Sequence, residues 1–326
     1  MATLKDVAAL AGVSVKTVSN VVNGYAFVKP DNRRRVEEAL VATGYRPNLG
    51  ARNLRRGRTG SLALVVPELG IPYFAELAGL VLRAARAHDW NVLIQQTLGT
   101  REGEREALAA LGPHVVDGAV ISPEALRGTD FAGVSGPLVL LGEHPLDLPL
   151  DHVGIDNVEA ARTAVRHLLD LGRRRIAAIG AHPDRATAAQ RLRGHREALA
   201  DAGLTGPVAS VEHYHRRDGA AAMAALLDSP EPPDAVFCFN DLLAAGALRA
   251  AADRGVRVPG DVAVVGFDDD EAGAYGSPSL TTIAPDKAGI ARAAVDLLRE
   301  RVDGRDLPPR RVRTPFRLRI RESTVG

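Results

Sequence analysis

The sequence predicts two folds in one chain: an all-α headpiece in residues 1–45 and an α/β core in residues 61–326. A helix-turn-helix pattern occupies residues 3–24, and from residue 61 short apolar runs alternate with amphipathic helical segments. Strands that are apolar on both faces and separated by helices are typical of parallel sheets covered on both sides. The core contains two such sets, which predicts two parallel-sheet subdomains with a cleft between them.

The charge of the chain is distributed unevenly. Residues 1–60 carry eleven Lys or Arg residues and four Asp or Glu residues, a formal charge of +7. Because the whole chain carries +1, residues 61–326 carry −6. A compact basic segment on a mildly acidic body is typical of a protein that contacts a polyanion such as nucleic acid.

Composition also indicates the compartment. A single cysteine, Cys238, excludes a disulfide framework and indicates a reducing environment. Charged residues at positions 5, 6 and 16 interrupt the first twenty residues, so no signal peptide is expected there. No uninterrupted apolar run is long enough to cross a bilayer. We therefore expect a cytoplasmic protein with no membrane partner.

Capping residues and apolar spacing predict the first helices. Thr3 and Asp6 have the spacing of a capping box, so a first helix is expected over residues 4–11. Ser14 is a favourable N-cap for a second helix over residues 15–22. Apolar residues at helical spacing would pack the two helices against each other, which predicts helix-turn-helix geometry.

The opposite face of the second helix carries a cation, hydroxyls, amides and one valine. Lys can donate to guanine, Asn can pair with adenine and Val can contact a thymine methyl group, so this face suits a DNA major groove. A solvated cap on a helical hairpin is the alternative interpretation. The side chains suited to bases are Val15, Lys16 and Asn20, and those suited to phosphates are Ser14, Thr17, Ser19 and Asn23.

A third helix is expected in RRRVEEALVATGYRPN, residues 33–48, and a basic linker with a short helix in residues 46–60. Pro47 can begin the short helix. Leu54 is an apolar residue among arginines in this linker. It either packs against neighbouring helices or enters the minor groove as a wedge between base steps.

Polar residues follow several predicted strands of the core, where ligands bind in open parallel sheets. No dinucleotide fingerprint, phosphate loop, nucleophile elbow or zinc motif is present. We therefore expect a receptor that needs no cofactor or metal, rather than an enzyme. The strand-end residues are Pro67, Glu68, Ser122, Glu143, His182, Asn240, Asp241 and Asp268–Asp270, with Tyr73 and Phe74 beside the cleft.

Several short segments resemble the lactose-repressor/galactose-repressor family of bacterial transcription regulators. They are DVAALAGVS, TVS, VVNG, GYRPN and ARNL near the N-terminus, and RLRG, FNDLLAAGAL, VAVVGFDD and SLTTI in the core. The resemblance implies a periplasmic-binding-protein-like core, a pseudo-palindromic DNA operator and a small effector, commonly a sugar. Repression is the commoner mode of control in this family. A solute-binding receptor for sugar transport is the alternative.

The resemblance assigns base reading to Val15, Lys16 and Asn20, and intercalation by a hinge helix to Leu54. The family usually has Ser or Thr before its third helix, whereas this chain has Lys29-Pro30-Asp31. The cap of that helix is therefore expected to be Asp31 or absent.

In the core, the resemblance assigns effector binding to Arg191, Asn240 and Asp268, and stacking on a sugar to Tyr214. The chemistry agrees, because a guanidinium and a carboxylate can each bind neighbouring hydroxyl groups. From the residues alone, Arg191 could instead form an exposed ion pair and Asp268 could cap a helix.

The identity of the effector stays open at this stage. Pro285 and Gly142 stand where some relatives place polar effector contacts, so we expect a different set of ligand contacts. A mono- or oligosaccharide is the main expectation. Tyr73 and Phe74 leave a purine-like ligand as the alternative.

The core is expected to divide into an N-subdomain, about residues 61–155 and 286–313, and a C-subdomain, about residues 156–285 and 314–326. A homodimer is expected because two-fold pairing matches a pseudo-palindromic operator. No heptad repeat follows the core, which argues against a coiled-coil tetramer. The candidates for the dimer interface are the alanine-rich segments 75–87 and 288–302.

Overall fold

The computed structural model describes residues 2–22, 25–45, 58–112, 114–142 and 148–326. The chain divides into two compact units, Met1–Gly60 and Ser61–Gly326. Across the described ranges, no helix has both the length and the apolar character needed to cross a membrane.

The first unit contains helices α1 (Leu4–Ala11), α2 (Val15–Val22) and α3 (Pro30–Thr43). The capping box of α1 is confirmed: the Thr3 N–H donates to the Asp6 carboxylate at 2.8 Å, and the Asp6 N–H donates to the Thr3 hydroxyl at 3.4 Å. Ser14 caps α2 by accepting the Thr17 N–H at 3.1 Å. The three helices share a small core centred on the fully buried Val7, Val18 and Val36.

Helix α3 begins without a side-chain cap. Lys29 occupies the cap position and Pro30 is the first helical residue, where its missing N–H has no helical partner to lose. The Asp31 carboxylate instead accepts a hydrogen bond from Arg34 at 2.7 Å. Of the two alternatives that the sequence left open, the absence of a cap is the correct one.

The first sheet of the second unit contains six parallel strands. Their order is β11-β5-β4-β3-β1-β2, with β1 (Ser61–Val66), β2 (Asn91–Gln96), β3 (Gly118–Ile121), β4 (Leu138–Leu141), β5 (Asp151–Gly154) and β11 (Arg311–Arg313). The helices of this N-subdomain are α4 (Pro72–Arg86), α5 (Arg101–Ala110) and α11 (Lys287–Val302), with a short 3-10 helix at Gly128–Phe131.

The second sheet also contains six strands, parallel except that the last one runs antiparallel to its neighbour. The order is β12-β10-β9-β8-β6-β7, with β6 (Ile176–Ala181), β7 (Val208–Ser210), β8 (Ala235–Cys238), β9 (Ala263–Phe267), β10 (Thr281–Pro285) and β12 (Phe316–Arg319). The helices of this C-subdomain are α6 (Asn157–Asp170), α7 (Ala186–Asp201), α8 (Arg216–Leu227), α9 (Asp241–Asp253) and α10 (Glu271–Ala274).

The chain passes between the two sheets three times. The connections are residues 155–156, residue 286 and residues 314–315, each lying between an element of one subdomain and an element of the other. Because the connections are short and the strands are buried, each sheet with its helices can move as one body about these three points. The carboxyl ends of strands from both sheets border the cleft between them.

Helix α11 packs inside the chain. Ile290, Val295 and Leu298 are at most 2% exposed and belong to the main hydrophobic core. The core of the same chain therefore covers the apolar face of residues 288–302, which leaves the other face of this helix for the expected dimer interface. Helix α4, which contains most of the other candidate segment, leaves an apolar side chain in solvent: Leu82 on its outer side is 43% exposed.

Candidate functional site

Helix α2 presents its predicted polar face outward. Val18 and Val21 are buried against the other two helices, whereas Val15 is 42% exposed and Lys16 is also exposed. Asn20 is half-buried on the same helix. The side chains proposed to read bases therefore lie on the side of α2 away from the core of the headpiece.

The four residues proposed for phosphate contact have different surroundings. The Ser14 hydroxyl caps α2 and lies 2.9 Å from the Thr17 hydroxyl, so these two groups are already hydrogen-bonded to each other. Ser19 is half-buried. Asn23, and Leu54 of the expected hinge helix, lie outside the described residues.

A cavity of about 90 Å³ lies between the two subdomains. It is formed at the carboxyl ends of strands, with Gly142 after β4 on one side and Pro285 at the end of β10 on the other. All six residues that the sequence assigned to effector binding line this cavity: Tyr73, Phe74, Arg191, Tyr214, Asn240 and Asp268.

Arg191 is the centre of the polar network in the cavity. Its Nε donates to Asn157 Oδ1 at 3.0 Å, and its Nη1 donates to the carbonyl oxygen of Phe239. Its Nη2 lies 3.9 Å from Asp268 Oδ1, and its guanidinium lies 3.5 Å above the Phe267 ring. The side chain is 12% exposed, so Arg191 is not an exposed surface ion pair.

The surroundings of Asp268 destabilise the charged form of its carboxyl group. Burial raises the pKa of its carboxyl group to about 7, although the Arg191 guanidinium opposes that rise. Its backbone φ is +113°, in a region that L-residues rarely adopt. A buried carboxyl group on strained backbone is stable only when its surroundings hold it there, and such groups concentrate at functional sites.

Asn240 and Asp241 hold the strand ends together. Asn240 Oδ1 caps α9 by accepting the Leu243 N–H at 2.8 Å, and Asn240 Nδ2 donates to the Tyr214 carbonyl at 3.2 Å. The buried Asp241 carboxylate accepts the Thr282 hydroxyl at 2.6 Å. Burial raises the pKa of Asp241 well above its usual value. Asn240 therefore shapes the cavity by positioning the Tyr214 loop.

Tyr214 is almost fully buried, and its hydroxyl donates to the Gly180 carbonyl at 2.7 Å. The Arg185 guanidinium lies 4.7 Å from the ring centre and covers one face. Stacking of a ligand on Tyr214 is therefore limited to the other face. On the opposite side of the cavity, Tyr73 and Phe74 meet edge to face, with ring centres 5.1 Å apart.

Glu124 is a cavity residue that the sequence did not reveal. It lies three residues beyond the end of β3, and Arg185 Nε of the other subdomain is 3.2 Å from its carboxylate. Burial raises the pKa of Glu124, and Arg185 opposes the rise. Asn157, which also lines the cavity, was missed too, because the strand before it, β5, was not predicted. A search extended by two residues past Ser122 would have found Glu124.

Metal binding finds no support in the described part of the chain, where no group of three or more His, Cys, Asp or Glu residues could hold an ion. His213 and His215 are stacked with ring centres 5.6 Å apart. His215 Nε2 lies 2.9 Å from Glu68 Oε2 of the N-subdomain, so this histidine pairs with a carboxylate across the cleft.

Comparison with known proteins identifies two regions of the chain. Residues 3–48 match the model of bacterial regulatory proteins of the lacI family, and residues 165–324 match a periplasmic binding protein-like domain. The HTH-type transcriptional regulator CelR of Thermobifida fusca is 38% identical over 98% of both chains. The chain belongs to the lacI family of bacterial regulatory proteins. This lacI-family chain is therefore a DNA-binding transcription regulator and not an enzyme.

Two solved structures of lacI-family proteins show the same architecture. The lac repressor dimer bound to operator and the anti-inducer ONPF is 26% identical, with a TM-score of 0.89 over 100% of this chain and 99% of that one. A complex of the regulator CelR with cellobiose is 32% identical, with a TM-score of 0.74 over 99% and 100% of the two chains. The helix-turn-helix headpiece and two-subdomain α/β core predicted from the sequence are confirmed.

Proposed function

We propose that this regulator is a cytoplasmic homodimer that represses transcription from a pseudo-palindromic operator and is controlled by a neutral sugar bound between its core subdomains. The observation that carries the proposal is the cavity between the subdomains, which residues of both subdomains line. One chain thus combines a helix with an exposed face for bases and a cavity with paired polar groups and aromatic walls.

The charges around the cavity favour a neutral ligand. Arg191 lies beside Asp268, and Arg185 lies beside Glu124, so each cation has an anion within 4 Å. A phosphate or carboxylate on the ligand would compete with these acids for the same guanidinium groups. Neutral hydroxyl groups can donate to the carboxylates and accept from the guanidinium groups without separating the pairs. The cellobiose complex of the related CelR supports a sugar.

The cavity is coupled to the relative movement of the two core subdomains through the three connections between them. A ligand that touches both subdomains favours one closure angle, because it binds that angle better than others. A change of angle alters the spacing between the two headpieces of a dimer, and operator half-sites require a fixed spacing. Effector and operator affinities are then coupled reciprocally, typically by about 1–3 kcal/mol.

Dimerisation is supported by apolar side chains that the chain leaves in solvent and by the solved lac repressor dimer. Tyr275 of the C-subdomain is 84% exposed, and Leu82 of α4 in the N-subdomain is 43% exposed. A contiguous apolar patch in solvent often marks an association surface, and a homodimer would cover side chains of this kind. A transport receptor, the rival function, would have no use for a basic headpiece with an exposed recognition helix.

Effector control can be tested with thermal unfolding followed by operator binding. The purified protein is screened for an increase in Tm with sugars and, separately, with purine bases, because a ligand of the native state raises Tm by mass action. We expect a sugar to raise Tm and to change operator affinity by about 5- to 150-fold, measured by fluorescence anisotropy. A purine that acts while all sugars fail would contradict the sugar assignment. Unchanged operator affinity at saturating ligand would contradict the coupling.

The DNA-binding face is tested by Asn20→Ala. We expect a loss of about 1–3 kcal/mol at one base pair and relaxed preference there, because a bidentate contact to a base edge is removed. Affinities are measured for an operator selected from a random duplex library and for its single-base variants. Val41→Ala, at an 84% exposed position of α3, is the control. Equal weakening on every duplex would instead identify Asn20 as a phosphate contact.

A further inference from the structure

Two pairs of charged or titratable side chains cross the cleft beside the cavity. Arg185 Nε of the C-subdomain lies 3.2 Å from Glu124 Oε2 of the N-subdomain. His215 Nε2 of the C-subdomain lies 2.9 Å from Glu68 Oε2 of the N-subdomain. Arg185 also covers the ring of Tyr214, the residue before His215. Together these side chains span the cleft beside the cavity and are here called the cleft wall.

The cleft wall stands at one side of the cavity. In the C-subdomain, Arg185 follows β6 and Tyr214 follows β7, the edge strand of that sheet. The cavity extends from there towards β9 and β10, where Asp268 and Pro285 line it. A ligand held by Arg191 and Asp268 therefore meets the cleft wall if it extends towards the β7 edge.

The N-subdomain half of the wall is held firmly. The buried Glu104 carboxylate accepts the backbone N–H groups of Glu124, Ala125 and Leu126 at 2.6, 3.1 and 2.9 Å. Gly99 leaves the room that Glu124 occupies, because a Cβ at position 99 would lie 2.9 Å from Glu124 Oε2. Three hydrogen bonds to one carboxylate fix the loop, so Glu124 does not simply swing aside.

The cavity that the wall encloses is small. Its volume is about 90 Å³. A disaccharide needs about twice the space of a single ring, so a second ring that extends towards the β7 edge would require the wall to open.

We propose that the Arg185–Glu124 pair determines effector size, restricting this regulator to a single sugar ring and excluding disaccharides. This inference rests on the proposed function, because it assumes that the cavity binds a sugar. It also distinguishes this chain from the related CelR, whose complex contains a disaccharide. Arg185 and Glu124 act as specificity-determining residues, while Arg191 and Asp268 bind the ring itself.

The test compares the Kd values of monosaccharides and disaccharides, measured by calorimetry. The probes are glucose, galactose, mannose, xylose and ribose, and the disaccharides cellobiose, maltose and lactose. For the wild-type chain we expect a monosaccharide to bind and every disaccharide to bind at least 10-fold more weakly. In the Glu124→Ala/Arg185→Ala double variant, we expect the ratio of disaccharide to monosaccharide affinity to rise at least 10-fold. Folding is retained, because the Glu124 N–H still reaches Glu104 and Arg185 provides no side-chain cap to α7.

Two control variants test whether the loss of any charged side chain changes the ratio of disaccharide to monosaccharide affinity. Arg193→Ala removes an exposed arginine from α7, the helix that follows Arg185, and Glu106→Ala removes an exposed glutamate from α5 of the N-subdomain. Both should keep the wild-type preference for single rings. A disaccharide that binds the wild-type chain as tightly as its component monosaccharide overturns the inference but leaves the proposed function standing. An unchanged ratio in the double variant also overturns it. Binding of no sugar at all overturns the proposed sugar effector and this inference together.

Discussion

Arg191→Ala is expected to abolish the response to effector while leaving operator binding by the effector-free protein intact. Arg191 joins Asn157, Phe239 and Asp268, so its loss removes the donor that orients the polar side of the cavity. It also leaves the Asp268 carboxyl group buried without its cation. A hydrogen bond from a charged donor to a buried ligand is worth about 1.5–3 kcal/mol, so losing the guanidinium should weaken effector binding by at least about 10-fold.

The Arg191 experiment needs a control for folding, because the same side chain also braces three elements of the C-subdomain. Arg193→Ala is the matched variant: it lies on the same helix, its side chain is 70% exposed, and it pairs with Glu197. We expect Arg193→Ala to retain wild-type effector affinity. Arg191→Lys keeps the charge but loses the planar fork, so it should retain the fold with weakened effector binding. A normal effector response in Arg191→Ala would mean that the ligand binds elsewhere.

Seven of the twelve strands of the core could be predicted because they are short apolar runs, but β5, β7 and β10 to β12 could not, and β5 shows the reason most clearly. Its sequence, DHVG, begins with two polar residues that are nearly fully buried. Asp151 accepts hydrogen bonds from Arg301 Nε at 2.9 Å and from the Arg310 N–H at 2.7 Å. These partners are about 150 residues away in the chain. No local pattern can show that a distant arginine makes an aspartate suitable for a buried strand.

The sequence identified the strand-end residues of the cavity better than it identified the loop residues. Strand-end position and family resemblance identified the residues of the C-subdomain such as Asn240 and Asp268, because each directly follows an apolar strand. Glu124 and Arg185 lie in loops, and each has a role only because the other faces it across the cleft. Closure of the cleft is a tertiary property. The sequence could predict that two subdomains exist but not which of their loop residues meet.

Asp268→Asn is expected to make the protein more stable at pH 8 and unable to bind effector. The ordinary pKa of the group is 3.8, and burial raises it to about 7 in the folded state. Between these values the folded protein holds a proton that the unfolded chain has released, so stability falls as pH rises through this window. Above pH 7 the wild-type protein bears the full cost of a buried carboxylate, and asparagine removes that cost.

Asparagine is the appropriate replacement at this position because it tolerates positive φ nearly as well as aspartate. The groups facing Asp268 also include Arg191, Asp270 and Lys287, which stay in place, so the change isolates one carboxyl group. Since each pKa unit is worth about 1.4 kcal/mol, we expect Tm at pH 8 to rise by at least about 2–4 °C. At pH 5 the gain should be much smaller, because the wild-type Asp268 is then protonated in the folded state.

The measurement is thermal unfolding of both proteins at pH 5 and pH 8, with and without the sugar identified by screening. Asp253→Asn, an exposed aspartate on α9, should show no such pH-dependent difference. Carboxylate oxygens accept two hydroxyl groups, whereas an amide offers one acceptor and one donor, so the variant should lose the Tm increase caused by the sugar. Equal Tm changes at both pH values would mean that Asp268 is ionised without penalty. A stability gain together with lost binding would show that the cavity retains a destabilising charge because the ligand requires it.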